Sequence, residues 1–311
     1  MNVVLVGLGN VGYGRYVKSK QNKLLDHYSA ILARKELDLI SVVDSSAVPE
    51  ELTRIGFRHI DELSKSAIDL LVIATGTESH LDIVRQALTK IQTRLIIVEK
   101  PGTKSLADAI KLKDILERTN GTKVYINYQR NYNPVILGSM RNSKLGQFQC
   151  GVVHYSNGAL NNASHAIALV LDKLGDDTSV QRLSRESRTI GEDLDFEIVN
   201  SKGARIIFLS TNERFYSNFR IQLDYEHGVV TYDSSIPNIT TRLKIQDPMF
   251  AGRYCLEEIG KAIPTNEDKA FGYVYDFLVN KLINEDCSGE VGVSLERAIK
   301  IHKIMDRLRN D

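Results

Sequence analysis

The chain has 311 residues, of which 42% are hydrophobic, and this is enough to bury the cores of two domains. Its 40 basic and 39 acidic residues are mixed along the chain and give a formal net charge of +1. This balance predicts no surface for nucleic acid or a membrane, and no apolar run reaches the roughly 20 residues of a membrane helix. Three scattered cysteines predict neither a metal site nor a disulfide framework. The first strand starts at residue 2 or 3 and leaves no room for a signal peptide, so we expect a cytoplasmic protein.

The first predicted strand, Val3 to Val6, leads directly into a glycine-rich turn. Gly7 permits the tight turn, Gly9 lets the backbone approach a pyrophosphate, and Gly12 lets the next helix lie close to the strand. A glycine turn without a ligand is the alternative, but the alternating strands and helices that follow favour dinucleotide binding. The candidate cofactor contacts in this turn are Gly7, Gly9, Asn10, Val11 and Gly12.

The second predicted strand, Leu39 to Val43, ends at Asp44. A carboxylate there accepts hydrogen bonds from the adenosine ribose and repels a 2′-phosphate, which predicts NAD rather than NADP. Asp44 follows Gly12 by 32 residues (44 − 12), more than the roughly 20 that are typical. The excess lies in a polar stretch from Gly14 to His27, which we interpret as an extension of the first helix near a phosphate; it carries Lys18, Lys20 and Lys23. A strand-end acid that only caps a turn is the alternative for Asp44.

Short apolar runs predict three further buried strands of a parallel sheet, at Ile68–Ile73, Leu95–Val98 and Val124–Ile126. Amphipathic helices are predicted between them, at His80–Ile91 and after Ser105. We therefore predict an α/β fold whose residues 1–127 form a Rossmann dinucleotide-binding domain.

The pattern changes after Tyr128, where longer strands with turns between them predict a mostly antiparallel sheet. These strands are Phe148–Tyr155, Asp195–Val199, Ala204–Leu209, Phe219–Tyr225 and Val229–Tyr232. One helix, Ser164 to Leu174, interrupts them, and two more are predicted at about 267–284 and 294–309. Residues 128–311 are thus predicted to form an α+β domain with an open sheet, for substrate binding and oligomerisation.

Glu99, Lys100 and Pro101 follow the fourth predicted strand, which ends at Val98. Because ligands bind beyond the carboxyl ends of the strands in doubly wound sheets, Lys100 is expected to project into the cofactor cleft. An ammonium group there polarises a hydroxyl or carbonyl and stabilises the alkoxide that develops as a hydride moves. A solvent-exposed lysine after a turn is the alternative interpretation.

From the glycine turn through Ala74-Thr75, His80 and Glu99-Lys100-Pro101 to the helix of the second domain, the sequence resembles the Gfo/Idh/MocA (glucose-fructose oxidoreductase / inositol dehydrogenase) family. The resemblance implies that Asn127 and Arg130, after the strand Val124–Ile126, help to wall the nicotinamide and the substrate. For His80, which opens a predicted helix, a structural role is an equal alternative. The further cofactor contacts that the resemblance implies are Ala74, Thr75, His80, Glu99, Lys100 and Asn127.

In this family, a helix of the second domain carries an acid and, four residues later, a histidine that faces the nicotinamide. His165 matches that histidine, whereas Asn161 stands where the acid is usual and Ala168 where another acid often follows. We assign His165 as the general acid/base, because its pKa is ordinarily near neutrality, and Asn161 as a residue that orients substrate through hydrogen bonds. Positions 161 and 165 lie one helical turn apart, so both are expected to face the cleft. A histidine satisfied within the core is the alternative.

The Asn-Asn-x-Ser-His form of this helix resembles members of the family from bacterial surface-polysaccharide clusters, which often act on nucleotide-linked or amino sugars. We therefore expect an NAD-dependent sugar oxidoreductase with Lys100, His165 and Asn161 as catalytic residues and Arg130, Asn161 and His165 as substrate contacts. A protein that senses NAD or a sugar without catalysis, and an imine or aldose reductase, are the alternatives. The open sheet predicts a homodimer or homotetramer. The remaining histidines share no metal-ligand spacing and are interpreted as surface or packing residues: His27, His59, His154, His227 and His302.

Overall fold

The structure is a computed structural model that describes residues 1–15, 17, 23–46, 48–63, 67–119, 121–175, 177–183, 193–284 and 291–310. Contacts between Cα atoms divide the chain into two units, of which one contains residues 1–132 and 268–302 and the other contains residues 133–267 and 303–311. The structure thus returns residues 268–302 to the first unit, whereas the sequence placed everything after residue 127 in the second domain.

Strands and helices are numbered in chain order. The strands are β1 (Asn2–Val6), β2 (Asp38–Val43), β3 (Gly56–Phe57), β4 (Ile68–Ile73), β5 (Thr93–Glu99), β6 (Lys123–Asn127), β7 (Phe148–Tyr155), β8 (Thr178–Arg182), β9 (Phe196–Asn200), β10 (Arg205–Ser210), β11 (Phe219–Tyr225), β12 (Gly228–Asp233), β13 (Asn238–Gln246), β14 (Tyr254–Leu256), β15 (Lys261–Pro264) and β16 (Val293–Ser294). The helices are α1 (His27–Leu32), α2 (His80–Lys90), α3 (Leu106–Glu117), α4 (Pro134–Met140), α5 (Ser164–Leu174), α6 (Ala270–Ile283) and α7 (Leu295–Asn310).

The first unit contains a mostly parallel sheet in the spatial order β16-β6-β5-β4-β1-β2-β3. Strands β1 to β6 are parallel to their neighbours, and β16 pairs antiparallel with β6. The five apolar runs that predicted buried strands all lie in β1, β2, β4, β5 and β6, since these strands are covered on both faces. The prediction of a Rossmann-type sheet is therefore confirmed.

The predicted extension of the first helix, Gly14 to His27, falls in part on residues outside the described chain, namely 16 and 18–22. A five-residue π-helical turn, Asn10–Gly14, follows Gly9, and at the start of α1 the side chain of Asp26 accepts a hydrogen bond from the backbone N–H of Ser29. Of the lysines in the polar stretch between them, Lys23 belongs to the described residues, and Lys18 and Lys20 lie outside them. Helix α6 joins this region because its apolar face, which includes Phe271, Val274 and Tyr275, belongs to the core of the first unit.

The second unit contains an open sheet in the order β14-β13-β12-β11-β7-β10-β9-β8, with β15 beside β13. All neighbouring strands in it are antiparallel except β7 and β10, which confirms the predicted antiparallel-rich sheet. Helix α5 has the predicted bounds, and Gly175 ends it with a φ of 73°. Most of its side chains are buried, so it forms part of the core of this unit. Within the described part of the chain, no helix is both long enough and apolar enough to span a membrane.

Candidate active site

Most of the candidate residues of the first unit follow the carboxyl ends of parallel strands. The glycine turn follows β1, Asp44 follows β2, Ala74 and Thr75 follow β4, Lys100 follows β5, and Asn127 ends β6. Because these strands are neighbours in one parallel sheet, their carboxyl ends lie along a single edge. The topology therefore brings together candidates that are more than 100 residues apart in the sequence.

The glycine turn is held against its neighbouring strands. Gly7 N donates a hydrogen bond of 2.8 Å to Val43 O, and Ala74 N donates one of 2.7 Å to Val6 O. Gly7 has a φ of 94°, and a Cβ on it would lie 2.7 Å from the backbone of Ala74. Glycine is required there because an L side chain is strained at this φ and would overlap the next strand.

Gly9 and Gly12 differ in a way that fits a dinucleotide. A Cβ on Gly12 would overlap the carbonyl oxygen of Gly7, so Gly12 is needed for close packing of the turn. A Cβ on Gly9 would meet no atom of the described chain within 4 Å, and Gly9 has an ordinary φ of −67°. The fold itself therefore does not require glycine at position 9, and open space there suits a pyrophosphate that approaches the backbone.

Asp44 accepts hydrogen bonds from its own turn and from the glycine turn. Leu8 N donates to Oδ2 at 2.6 Å, while Ser46 donates to Oδ1 through its backbone N–H at 2.8 Å and through its hydroxyl. Partial burial raises the pKa of Asp44, but the Ser46 and Leu8 hydrogen bonds, with the charge of Arg58, lower it overall. An ionised carboxylate offers about four acceptor sites, so the side chain retains capacity for ribose hydroxyls.

His80 opens α2, as predicted, and is buried. Its Nε2 lies 3.0 Å from Thr75 O and its Nδ1 lies 3.2 Å from Gly102 O. Burial lowers the pKa of His80, which favours the neutral ring. The imidazole thus connects the segment after β4 to the turn after Lys100, which supports the structural alternative, and its contact with a cofactor stays a prediction.

Glu99 is the centre of a buried polar cluster behind Lys100. His27 Nε2 lies 3.0 Å from Glu99 Oε1, and Asn127 Nδ2 donates a hydrogen bond of 2.6 Å to the same oxygen. Burial raises the pKa of Glu99, but the hydrogen bond and charge of His27, the hydrogen bond of Asn127 and the charge of Lys100 hold it below its usual value. Glu99 is therefore ionised at neutral pH, and its contacts position the turn rather than leave it free for a ligand.

His27 was interpreted from the sequence as a surface or packing residue, and that interpretation misses its hydrogen bonds. Its side chain is only 1% exposed, and Nδ1 lies 2.9 Å from the hydroxyl of Tyr275. Glu99 is 72 positions away and Tyr275 is 248 positions away. The sequence carries no local signal for such contacts, apart from a histidine that closes the unusually long stretch after the glycine turn.

Lys100 is half-buried at the carboxyl end of β5, and its bond to Pro101 is cis. Burial lowers the pKa of Lys100, the charge of Glu99 opposes that shift, and the positive charges of Arg130 and Arg15 add to it, so the pKa lies below its usual value. Three cationic side chains thus act on one another in this part of the first unit. Arg130 lies in a short 3-10 turn, Gln129–Tyr132, directly after β6.

The second unit carries the other candidates on one continuous segment. Asn161 lies in a π-helical turn, Ala159–Ala163, and α5 starts directly after it, with His165 as its second residue. His165 is 6% exposed and Ala168 is fully buried, whereas Asn161 is half-buried. Asn161 and His165 thus lie on two consecutive helical elements, and the expectation that both side chains face the cleft stays a prediction.

A buried carboxylate that the sequence reasoning did not single out lies beside this segment. Asp193 Oδ1 accepts a hydrogen bond of 2.7 Å from Gly158 N, immediately before the π-helical turn. Two residues later, Asp195 Oδ1 accepts hydrogen bonds from Ser210 N at 2.8 Å and Ser210 Oγ at 3.0 Å. Asp193 therefore anchors the start of the segment that carries Asn161 and His165, although its only sequence signal is an acid just before a predicted strand.

The residues of the first unit fit a dinucleotide. Besides the open space at Gly9, Asn127 is 2% exposed and its Oδ1 has no hydrogen-bond partner among the described residues. A buried acceptor without a partner is costly, and a donor such as a carboxamide would satisfy it. In the described part of the chain, no group of three or more His, Cys, Asp and Glu side chains is placed to hold a metal ion.

Solved structures of similar fold cover nearly the whole chain. A dehydrogenase from Clostridium difficile has a TM-score of 0.71 and 12% identity over 100% of this chain and 99% of its own. A candidate myo-inositol dehydrogenase from Sinorhizobium meliloti 1021 has a TM-score of 0.70 and 16% identity over 98% and 95%. A super-repressor mutant of Gal80p from Saccharomyces cerevisiae has a TM-score of 0.74 and 15% identity over 100% and 95%. At these identities the likeness shows the fold.

No curated protein matches the sequence. Residues 1–128 match the model of the GFO_IDH_MocA family, which is described as an oxidoreductase family with an NAD-binding Rossmann fold. The match covers the glycine turn, Asp44, the Glu99-Lys100-Pro101 segment and Asn127, and it agrees with the observed sheet. The first 128 residues are therefore similar to the NAD-binding Rossmann domain of the Gfo/Idh/MocA oxidoreductases, which confirms the predicted fold and cofactor class.

Proposed function

We propose that this chain is a cytoplasmic, NAD-dependent oxidoreductase that transfers a hydride between nicotinamide and a hydroxyl or carbonyl group of a sugar. The observation that carries the proposal is the place of Lys100: a half-buried cation directly after β5, at the sheet edge where the glycine turn and Asp44 also lie. The nicotinamide, when bound, supplies the hydride or accepts it. The chain supplies the groups that bind, orient and move protons.

Lys100 is proposed to stabilise the negative charge that develops on the substrate oxygen. A cation that is partly removed from water interacts more strongly with such a charge than an exposed one does. Burial and the charges of Arg130 and Arg15 lower the pKa of Lys100, which favours the neutral amine. Glu99 opposes this shift and keeps the ammonium charged.

In the second unit, His165 is proposed to move the hydroxyl proton, and Asn161 to orient the substrate by hydrogen bonds. With Asn161 and Ala168 in place of carboxylates, no acid at those two positions favours the protonated ring. The proposal assigns His165 and Lys100 to the same substrate, and the pH profile of turnover is the property that tests the assignment of His165.

The substrate class that the charges favour is a nucleotide-linked sugar. The electrostatic influence of Arg130 and Arg15 on Lys100 favours an anionic group such as a phosphate and disfavours a cationic amino sugar. The alternative substrates are a neutral amino sugar, a free sugar, and an imine or aldose that undergoes the same type of reaction. A comparison of turnover with each class distinguishes them from a nucleotide-linked sugar.

The experiment is a measurement of nicotinamide absorbance with the purified chain, NAD or NADH, and a matched set of free sugars, amino sugars and nucleotide-linked sugars. We expect turnover with a nucleotide-linked sugar, and its loss in Lys100→Met. Binding of NADH and of a sugar without hydride transfer to or from any member of the set would contradict the proposal.

A second candidate function is a sensor that binds NAD or a sugar without catalysis. The observation that favours it is the absence of carboxylates at positions 161 and 168. The fold does not discriminate, since a super-repressor mutant of Gal80p and a dehydrogenase both share it. A sensor is expected to bind NADH with wild-type affinity in Lys100→Met and to show no turnover in either form.

We also propose that the open sheet of the second unit joins copies of the chain into a homodimer or homotetramer. Exposed apolar side chains lie on and beside β13 and β14, at Ile245, Met249, Phe250, Tyr254 and Ile259. Such a cluster is typical of a protein interface. Sedimentation of the wild type and of Tyr254→Lys tests this: a monomeric wild type would contradict it.

A further inference from the structure

His27 joins three segments of the first unit that are distant in sequence. It is the first residue of α1, its ring forms T-shaped pairs with Phe271 and Tyr275 on α6 at centroid distances of 4.8 and 5.8 Å, and its Nε2 reaches Glu99 at the end of β5. The ring is thus fixed by packing on two sides and by a hydrogen-bond partner at each nitrogen.

The chemistry of the neighbours determines what His27 does. Burial raises the pKa of Tyr275 well above its usual value, an effect to which the charge of Glu99 adds, so the phenol keeps its proton. Glu99 is ionised and can only accept hydrogen bonds. His27 Nε2 must therefore carry the proton in the contact with Glu99, whichever state the ring adopts toward Tyr275.

We propose that His27 is a positioning residue for Lys100: its hydrogen bond keeps Glu99 ionised and in place, and the carboxylate in turn keeps Lys100 positively charged. Among the described residues, the negative charge of Glu99 raises the pKa of Lys100, and the positive charges of Arg130 and Arg15 lower it. Loss of the His27 donor leaves Glu99 with the Asn127 hydrogen bond and the Lys100 charge. Protonation of the buried carboxyl then becomes more favourable, and the charge that opposes the effect of the two arginines on Lys100 is weakened.

The charge of Lys100 can be measured without any substrate. Its consequence for turnover rests on the proposed function, because a less charged Lys100 stabilises an alkoxide less well. A chain that proves to be a sensor would still show the effect of His27 on Lys100.

The test measures the pKa of Lys100 in the full-length chain by competitive acylation with acetic anhydride over a range of pH. Peptide mass spectrometry reports the labelling of Lys100 relative to Lys173, a half-buried lysine of the second unit. Two substitutions of similar size form a matched pair. In His27→Gln the amide nitrogen takes the place of Nε2 and still reaches Glu99, whereas in His27→Asn it takes the place of Nδ1 and reaches only Tyr275.

We expect His27→Asn to lower the labelling midpoint of Lys100 by about one pH unit, which is about a tenfold faster reaction at a fixed pH below the midpoint. His27→Gln is expected to keep the wild-type midpoint. Equal midpoints in His27→Asn and the wild type, or equal shifts in Asn and Gln, would overturn the proposal. Thermal unfolding and NADH binding establish that each variant is folded.

If His27→Asn does not fold, Glu99→Gln tests the proposal instead, because His27 is proposed to act on Lys100 through the charge of Glu99. The midpoint of Lys100 should fall there by at least as much as in His27→Asn, and an unchanged midpoint overturns the proposal. If the wild type transfers no hydride to any sugar, the proposed function is contradicted. The labelling results for Lys100 do not depend on that outcome.

Discussion

The two units hold their candidate residues in different ways. In the first unit, the candidates follow the ends of parallel strands and are tied to one another, as Asp44 is to Leu8, His80 to Thr75 and Asn127 to Glu99. In the second unit, Asn161 and His165 lie on one π-helical turn and the helix that follows it. In a parallel sheet the strand order determines which strand ends are neighbours. A sequence motif at the end of a strand therefore predicts where its residues lie in the structure. Asn161 and Ala168, the two positions that depart from the resemblance noted in the sequence, both lie on the helical segment of the second unit.

The largest expected effect would show that the first unit does chemistry and does not merely bind a nucleotide. Lys100→Met should reduce turnover about 100-fold or more, because a charge at the developing alkoxide is lost, while NADH binding changes little. Steady-state kinetics and calorimetric titration measure the two quantities. Lys104→Met is the matched control, since that exposed lysine pairs with Glu78 at 2.9 Å. Wild-type turnover in Lys100→Met would show that the lysine has no role in catalysis and only forms part of the turn.

Next in size is a test of whether the glycine turn is built for a ligand. In Gly9→Ala the new Cβ meets no atom of the described chain, so the melting temperature should stay near that of the wild type. NADH binding should nevertheless weaken about 30-fold, or about 2 kcal/mol, because the methyl group occupies the approach to the pyrophosphate. Gly138→Ala, which also meets no atom within 4 Å, is the control. Unchanged affinity in Gly9→Ala would contradict a dinucleotide at this turn.

A smaller effect distinguishes the two nicotinamide cofactors. With Asp44 ionised, NADH should bind at least about tenfold more tightly than NADPH, which corresponds to about 1.4 kcal/mol. Asp44→Ser should bring the two affinities together, whereas Asp38→Asn at the start of β2 should not. Calorimetric titration with both cofactors gives the ratio. Equal affinities for the two cofactors in the wild type, or tighter binding of NADPH, would contradict the role of Asp44 in repelling the 2′-phosphate.

The smallest effect concerns the second unit and its departure from the family pattern. His165→Asn should abolish the acid limb of the pH–rate profile, while Asn161→Asp should raise the apparent pKa of that limb by about one unit, because a nearby carboxylate favours the imidazolium. His154→Asn, a half-buried histidine on β7, should leave the profile as it is. Profiles between about pH 5 and 10 that are unchanged in both test variants would place the proton transfer elsewhere.

The sequence predicted the first unit well because its signals are local. The run Ile68–Ile73 is observed with the predicted bounds, since an unbroken apolar run leaves few alternatives for a strand that is buried on both faces. The strands that the sequence did not predict carry no such signal: β3 has two residues, and of the nine residues of β13 only Ile239 is buried. Their positions depend on the partner strands and not on their own side chains.

The predicted site was incomplete for the same reason. Most candidates of the first unit were recognisable because they stand at or directly after the end of a strand, but His27 gains its partners from β5 and α6, far away in sequence. Asp193 is similar, since only the fold brings it to Gly158. Local sequence patterns identify the side chains at the end of a strand. They do not identify the buried side chains that contact them.

The pairing of Val293 in β16 with Ile126 in β6 has a consequence for biosynthesis. The nucleotide-binding unit obtains its last strand, and the helix that carries Phe271 and Tyr275, only from residues 268–302. During translation the ribosome must therefore synthesise residues 133–267 of the second unit before the first unit can finish its sheet. A nascent chain that stops at Tyr132 would leave the edge of β6 unpaired and His27 without its aromatic neighbours, so we expect such a fragment to aggregate when it is expressed alone.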